Sequence, residues 1–355
     1  MLRVLSLFSG AGGLDIGFER TGFFHTIACV DVEKDCIATL TQNKEIGAST
    51  EKHKFLQGAQ IVCADLSNPK SLFRKMRLPD VDVIIGGPPC QAFSVLGKRR
   101  GTRDTRGSMV YSYLDAIETI RPRAFVFENV PGFASIEGGR ALADACARAD
   151  DLGYKCWSGR LCAAVYGDPT IRTRFFLLGF LGVSAPLCPP PPTHSANGAG
   201  NWGRLGSRET DASLKPFVTV SEALFGLSAP SELPTRLNAH VAVRHLPRTV
   251  ERFELLQPGE RDVARRRNRL RADAPALTLF AGGIKGKKQA RTHIHPFLPR
   301  ELTPRECARL HSFPDYWEFC GESDSILTQV ANSVPIELAS AVGRLVARTC
   351  SGGSQ

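Results

Sequence analysis

The stretch Gly86-Gly-Pro-Pro-Cys-Gln-Ala-Phe-Ser94 decides how this chain reads. It follows the run Val81-Asp-Val-Ile-Ile85, whose apolar residues predict a buried strand. Pro88 and Pro89 have fixed φ and no N–H, so the chain leaves that strand as a stiff turn. The turn puts one nucleophile, Cys90, at the carboxyl end of the strand, where open α/β sheets bind ligands. A lone cysteine can equally be a small buried hydrophobe. The rest of the chain separates the two.

Outward from this turn, strand and helix patterns alternate. Residues 2–8 read as a strand, followed by Gly10-Ala-Gly-Gly13 and a helix from about Leu14. Residues 25–30 form the next strand, ending at Asp31, and residues 61–64 another, ending at Asp65. Residues 124–127 lead into Glu128-Asn-Val130, and residues 157–165 and 174–180 read as two further strands. Repeated βα units predict an α/β fold with a mostly parallel, doubly wound sheet. After residue 185 the texture changes. Residues 186–192 carry five prolines, and 193–300 are rich in Gly, Pro, Arg and His with weak periodicity, which predicts a second, irregular domain. Order returns at Thr303-Pro-Arg-Glu306, an N-cap threonine with proline first and glutamate third, and residues 336–347 read as a final helix.

Composition narrows the function. The 355 residues carry a formal charge of +10. No apolar run is long enough to span a bilayer, and the N-terminal strand is too short for a signal segment. The eleven cysteines are odd in number and form no Cys-x-x-Cys pair, so neither a zinc ribbon nor a disulfide framework is indicated; a reducing cytoplasm is expected. Residues 186–300 hold 18 Lys and Arg against 9 Asp and Glu, and residues 97–106 hold five bases against one acid. A basic excess confined to two segments points to a polyanion, most simply nucleic acid.

The strand ends carry a cofactor signature. Gly10, Gly12 and Gly13 follow the first strand and open a helix, which suits close backbone approach of a ligand. The third glycine of a dinucleotide fingerprint falls on Asp15, so this is not a standard NAD loop. Asp31 is placed for ribose hydroxyls, and Asp65 for an adenine amino group. Without a phosphate-gripping loop, the adenosine-type cofactor that fits is S-adenosylmethionine.

With these motifs in order, the chain resembles the DNA (cytosine-5)-methyltransferase family. The residues that carry the resemblance are Phe8-Ser-Gly-Ala-Gly-Gly13, Pro88-Pro-Cys-Gln91, Glu128-Asn-Val130, Arg172-Thr-Arg174, the segment 300–314 and Asn332-Ser-Val-Pro335. It covers residues 1–180 and 300–345, with 186–298 where the family keeps its variable target-recognition domain. The resemblance implies a Rossmann-like class I methyltransferase sheet in residues 1–185 plus 322–355, and a smaller irregular target-recognition domain in 186–321. It implies a bacterial restriction-modification methylase or an orphan one, a monomer, with double-stranded DNA as substrate and a cognate endonuclease as functional partner.

The chemistry explains the residue types. Cytosine C5 is a poor nucleophile; a thiolate added at C6 makes C5 enamine-like and able to attack a sulfonium methyl. A free cysteine has a pKa of about 8.5, so only a few per cent is thiolate at neutral pH. Glu128, by protonation or by sharing a proton with N3, would relieve the charge on the ring. By resemblance Arg174 contacts the cytosine O2 and Arg172 supports the site, a solvated edge or a phosphate contact being the other reading of these arginines. Phe8, Gly10, Gly12, Gly13, Asp31, Val32, Asp65, Leu66, Pro88, Asn332 and Ser333 are the expected cofactor residues. The target base must leave the stack to be attacked, and residues 93–106 are the natural closing loop. Gln91, Ser94, Lys98, Arg99, Arg100, Arg103 and Arg106 there, with Arg265, Arg266 and Arg267, are the expected DNA contacts.

Three positions depart from the family pattern: Thr170 stands where Gln is frequent, Ala331 where Gly is usual, and Val32 where a larger side chain often lies near the adenine. His293 and His295 form a His-x-His without an evident third ligand, read as structural or phosphate-facing rather than as a metal site. A tRNA cytosine methyltransferase shares the chemistry but does not need so long a recognition segment. A non-catalytic DNA-binding regulator would have a damaged nucleophile or acid, and both are intact. An adenine-N6 methyltransferase would carry an aromatic residue where Cys90 follows the prolines.

Overall fold

The computed structural model describes residues 1–49, 54–89, 109–183, 187–196, 213–230, 238–280 and 292–352. Cys90, Gln91, Ser94, Lys98, Arg99, Arg100, Arg103 and Arg106 lie outside these residues, as does the whole expected closing loop. The chain divides into two compact units: 1–161 with 173–191 and 339–355, and 162–172 with 192–338. These units cut the chain differently from the expected domains, since 162–172 and 322–338 group with the second unit.

The first unit is built on a seven-stranded sheet. Its strands are β1 (Leu2–Leu7), β2 (Phe24–Asp31), β3 (Gln60–Cys63), β4 (Val83–Gly86), β5 (Ala124–Asn129), β6 (Tyr154–Cys162) and β8 (Thr173–Leu181); the two-residue β7 (Thr170–Ile171) lies outside it. The order is β3-β2-β1-β4-β5-β8-β6. β1 to β5 pair in parallel, and β8 runs antiparallel to β5. Parallel strands buried on both faces read as near-continuous apolar runs, which is why the sequence locates each of them. Leu5, Leu7, Ala28, Val30, Ile84, Phe125 and Phe127 build one side of the core with Tyr113 and Phe133. The Tyr113 hydroxyl, fully buried, donates to the Val126 carbonyl at 2.7 Å, so its burial leaves no orphan donor.

The order reverses between β1 and β4. Crossovers leave these neighbours in opposite directions, and the crevice at their carboxyl ends is the topological switch point. Leu7 pairs with Gly86 there. A Cβ at Gly86 would lie 2.4 Å from the Leu7 carbonyl oxygen, so the residue before the Gly-Pro-Pro turn has to be glycine.

The second unit contains only two-residue strands among the described residues. β7 pairs in parallel with β13 (Ala276–Leu277), β9 (His194–Ser195) with β10 (Lys215–Pro216), and β11 (Arg261–Asp262) antiparallel with β12 (Arg267–Asn268). Short helices punctuate it. The predicted capping box at Thr303 is present: its hydroxyl accepts from Glu306 N at 3.2 Å, and Glu306 accepts from Thr303 N at 2.8 Å. Among the described residues no helix is long and apolar enough to cross a membrane.

Asp15, the residue in place of a third fingerprint glycine, points into the first unit. It is 1 % exposed and accepts from the Cys29 thiol at 3.6 Å. Burial pushes its pKa from 3.8 up to about 7. The native state therefore keeps a proton that the unfolded chain gives up near pH 4, and this site's contribution to stability declines as pH rises from about 4 to about 7. Asp15→Asn should gain thermal midpoint relative to the unaltered chain across that window and hold a constant offset above it. Midpoints from pH 4.5 to 8 test this, and parallel curves would show that Asp15 is not the group that titrates.

Candidate functional site

Three backbone features shape the glycine loop at the end of β1. Phe8, Gly10 and Gly12 have φ of +54°, +55° and +82°. For phenylalanine the left-handed region costs about 1–2 kcal/mol, so the surroundings must hold it there. They do so through β2. Ser9 N donates to the Val30 carbonyl at 3.2 Å, Val30 N donates to Ser9 Oγ at 3.1 Å, and Gly10 N donates to Asp31 Oδ2 at 2.8 Å. The other oxygen of Asp31 accepts from Glu33 N at 2.9 Å. Burial raises the Asp31 pKa while these backbone donors pull it down. Asp31 therefore fixes the loop as well as standing at the strand end expected to face a ribose, a second role that the sequence did not reveal. Val32 beside it is 61 % exposed, an apolar side chain open to a ligand. Asp65 is exposed at the end of β3, with Oδ1 accepting from Ser67 N at 2.8 Å, whereas Leu66 is buried. Asn332 and Ser333 belong to the second unit; Asn332 is exposed, and the Ser333 hydroxyl donates to the Val330 carbonyl at 2.7 Å.

The end of β4 meets the end of β5. Asn129 Nδ2 donates to the Pro88 carbonyl at 2.9 Å, which ties Glu128-Asn-Val130 to the Pro-Pro turn two residues before Cys90 in sequence. A Cβ at Gly87 would lie 2.6 Å from Glu128 Oε2, so the carboxylate sits directly over the turn. Its other oxygen, Oε1, is 2.9 Å from Arg174 Nε. Both side chains are nearly buried, at 10 % and 11 % exposure. Burial lowers the Arg174 pKa, opposed by the Glu128 charge. Arg174 Nη1 donates to the Thr173 carbonyl at 2.9 Å. The motif acid and one motif arginine thus form a preassembled pair beside the turn that leads to Cys90.

Arg172 does something else. It is fully buried, which removes both the solvated-edge and the phosphate reading. Its Nη1 donates to the Leu279 carbonyl at 3.1 Å and its Nη2 to that of Ala331, the residue in place of the usual glycine. Thr170, the other departure, is also fully buried, and its hydroxyl donates to the Ala276 carbonyl at 3.3 Å. Asp168 is a buried acid that the sequence did not single out. Fully buried, it accepts from Ser312 Oγ at 2.7 Å, Glu337 N at 3.2 Å and Leu338 N at 2.9 Å. Burial drives its pKa up to about 7 against those donors. The only advance signal was an acid between Gly167 and Pro169, in a stretch otherwise apolar.

The basic run 265–267 does not face outward as a unit. Arg265 Nη1 and Arg267 Nε lie 3.4 and 3.3 Å from Glu301 Oε1, and the Arg267 side chain is 14 % exposed. Arg266 is exposed, at φ +55° in the turn between β11 and β12. His293 Nε2 is 3.1 Å from the Leu277 carbonyl. His295 Nδ1 accepts from Phe297 N and Leu298 N, and burial takes its pKa down to about 4. A neutral imidazole that braces a turn is structural, and the phosphate-facing reading does not fit His295.

Removing one partner of a buried ion pair leaves an uncompensated charge and costs about 3–5 kcal/mol, whereas removing both charges costs far less. Arg174→Ala should therefore be strongly destabilised, and Glu128→Gln combined with Arg174→Ala should recover most of that stability. Neither should turn over. Chemical denaturation alongside a methyl-transfer assay separates the two effects; an active double variant would detach the pair from the chemistry.

A model of the C-5 cytosine-specific DNA methylase family matches residues 2–348. The type II methyltransferase M.PspPI of Psychrobacter is 31% identical over 357 residues, covering 97% of this chain and 79% of that protein. M.FnuDI of Fusobacterium nucleatum is 30% identical, covering 98% and 95%. Among solved structures, a prophage-encoded protein of Escherichia coli described as a DNA modification methyltransferase superposes with a TM-score of 0.71 at 24% identity over 98% of both chains. The Dnmt2 methyltransferase of S. pombe superposes with a TM-score of 0.63 at 17% identity, over 97% of this chain and 98% of that one. At these identities the two structures speak for the α/β fold alone, and the family match carries the chemistry: the chain belongs to the C-5 cytosine-specific DNA methylases and is a DNA (cytosine-5)-methyltransferase.

Proposed function

We propose that this enzyme is the modification methylase of a type II system, acting as a monomer on one cytosine flipped out of a defined duplex sequence. S-adenosylmethionine is the proposed methyl donor. The residues at the strand ends fit it. The glycine loop is left-handed and open, with nothing within 4 Å of a Cβ built at Gly10. Asp31 and Asp65 supply acceptors at successive strand ends, and exposed Val32 offers an apolar surface for a base. Phe8, Gly10, Gly12, Gly13, Asp31, Val32, Asp65, Leu66 and Pro88 would hold it. When bound, it supplies an electrophilic sulfonium methyl.

One observation carries the mechanism: Glu128, held by Arg174, lies over the Gly87-Pro88 turn that delivers Cys90. In the proposed reaction the Cys90 thiolate forms a bond to C6 of cytosine, and the C5=C6 electron pair becomes nucleophilic at C5. Glu128 handles the proton at N3, which limits charge on the ring, and Arg174 engages the O2 side. After C5 has taken the methyl, loss of the C5 proton to a base expels the thiolate from C6. A nearly buried ion pair suits this task, because donors placed in advance need no reorganisation as charge develops.

Cys90→Ser should abolish methyl transfer while DNA and cofactor affinity stay measurable, since a hydroxyl is a far weaker nucleophile at neutral pH. In the unaltered enzyme, 5-fluorocytosine at the target should give a denaturation-resistant adduct, because fluorine cannot leave C5 as a cation. A serine variant with near-normal turnover, or no adduct at a site that is otherwise methylated, would remove Cys90 from the mechanism.

Sequence choice is proposed to reside in residues 186–298. Each bidentate major-groove contact is worth about 1–3 kcal/mol of discrimination. Exchanging this segment for that of a relative that reads another site should move the methylated sequence, read by bisulfite conversion of cellular DNA. An active chimera that keeps the original site would place specificity elsewhere. Because Arg265 and Arg267 share Glu301, Arg266→Glu is the cleaner charge test, with an expected loss of affinity for all duplexes.

A further inference from the structure

The ends of β2 and β3 bring one further side chain to the proposed cofactor site. The two strands pair in parallel, with Asp31 in register with Cys63. Their ladder closes with Ala64 N donating to the Asp31 carbonyl at 2.9 Å. The next acceptor beyond β2 is the Val32 carbonyl, and a side chain takes it: the Cys63 thiol donates to it at 3.7 Å. A thiol is a weak donor, so this contact records where the sulfur lies more than it holds the strand end together. Val32 and Cys63 are both exposed, and so is Asp65. Cys63 stands in register with one of the two acidic residues at these strand ends and two residues before the other. Asp31 and Asp65, the acceptors proposed for the ribose and for the adenine amino group, therefore flank an exposed pair made of one apolar and one sulfur-bearing side chain.

We propose that Cys63 is a further cofactor-contact residue, its sulfur forming with Val32 the surface against which the adenine of S-adenosylmethionine rests. The proposal rests on the placement of the cofactor given above. A base whose ribose reaches Asp31 and whose amino group reaches Asp65 has to pass the two side chains between those acceptors. Valine at 32 is short and branched at Cβ, so the sulfur at the neighbouring strand end shares the surface. A polarisable sulfur beside an aromatic ring is favourable by an amount that registers in affinity as about two- to tenfold. Cys63 is also one of two exposed cysteines among the described residues, the other being Cys188 in the proline-rich run. A cofactor seated at the strand ends shields the first thiol and leaves the second open.

Iodoacetamide labelling of the unaltered enzyme, resolved peptide by peptide, reads the site without turnover. With S-adenosylhomocysteine at about ten times its Kd, labelling of Cys63 should slow about tenfold, in proportion to the enzyme bound, while Cys188 keeps its rate. Cys63→Ala should raise the calorimetric Kd for S-adenosylhomocysteine about fivefold, with the Kd for duplex and the melting temperature of the free enzyme unchanged. Unslowed labelling of Cys63 in enzyme that calorimetry shows to be loaded overturns the proposal. So does equal slowing at both cysteines, or an alanine variant that binds S-adenosylhomocysteine as tightly as the unaltered chain. Asp31→Ala separates the proposal from the reading beneath it. If that variant also binds S-adenosylhomocysteine as tightly as the unaltered chain, the cofactor itself is misplaced, and the proposal falls with it.

Discussion

The pairing of β1 with β4, Leu7 against Gly86, is the constraint on which the site depends. It brings two loops that diverge in sequence to one crevice, the glycine loop on one side and the Gly-Pro-Pro turn on the other. Glycine at 86 lets the two backbones meet, and glycine at 87 lets Glu128 lie over the turn. A side chain at either position would force these elements apart. The strand order supplies the crevice, and the small residues determine how closely its walls approach.

Around that crevice the polar groups are held by backbone amides and by each other. Asp31 is anchored by Gly10 N and Glu33 N. Asn129 is spent on the Pro88 carbonyl. Glu128 and Arg174 are paired at low exposure, where an ion pair contributes little net stability but is costly to break. Such an arrangement suits a chemical step better than it suits folding: its value lies in geometry fixed before substrate arrives. Arginine rather than lysine at 172 and 174 follows from the same logic. A planar fork can serve two acceptors in fixed directions, as Arg172 does with Leu279 and Ala331.

The parallel strands were legible because burial on both faces leaves continuous apolar runs. The observed bounds fall within a few residues of those read from sequence, as with Phe24–Asp31 for 25–30 and Ala124–Asn129 for 124–127. The second unit was legible only as a change of texture. Among the described residues its strands are two residues long, too short to show a period, and long-range side-chain bonds such as Arg172 to Leu279 and Ala331 leave no local pattern. Arg172 and the run 265–267 show the same limit. A basic side chain in a motif or a run gives no sign of whether it will meet solvent, a phosphate or a buried carbonyl, because its partners are distant in sequence: Leu279 and Ala331 for one, Glu301 for the other.

That long-range character gives the Arg172-Thr-Arg174 motif its meaning. Thr173 is the only residue between an arginine committed to the second unit and an arginine committed to the first. Arg172 donates to the carbonyls of 279 and 331, and Arg174 pairs with the motif acid on β5. The two arginines of one three-residue motif thus have partners that lie far apart in sequence. Substituting Thr at 170 is tolerable in this frame, since a β-branched residue suits the short β7–β13 pair and its hydroxyl finds the Ala276 carbonyl. What the motif requires at each position is a donor aimed at a fixed acceptor, and the identity of the side chain follows from where that acceptor lies.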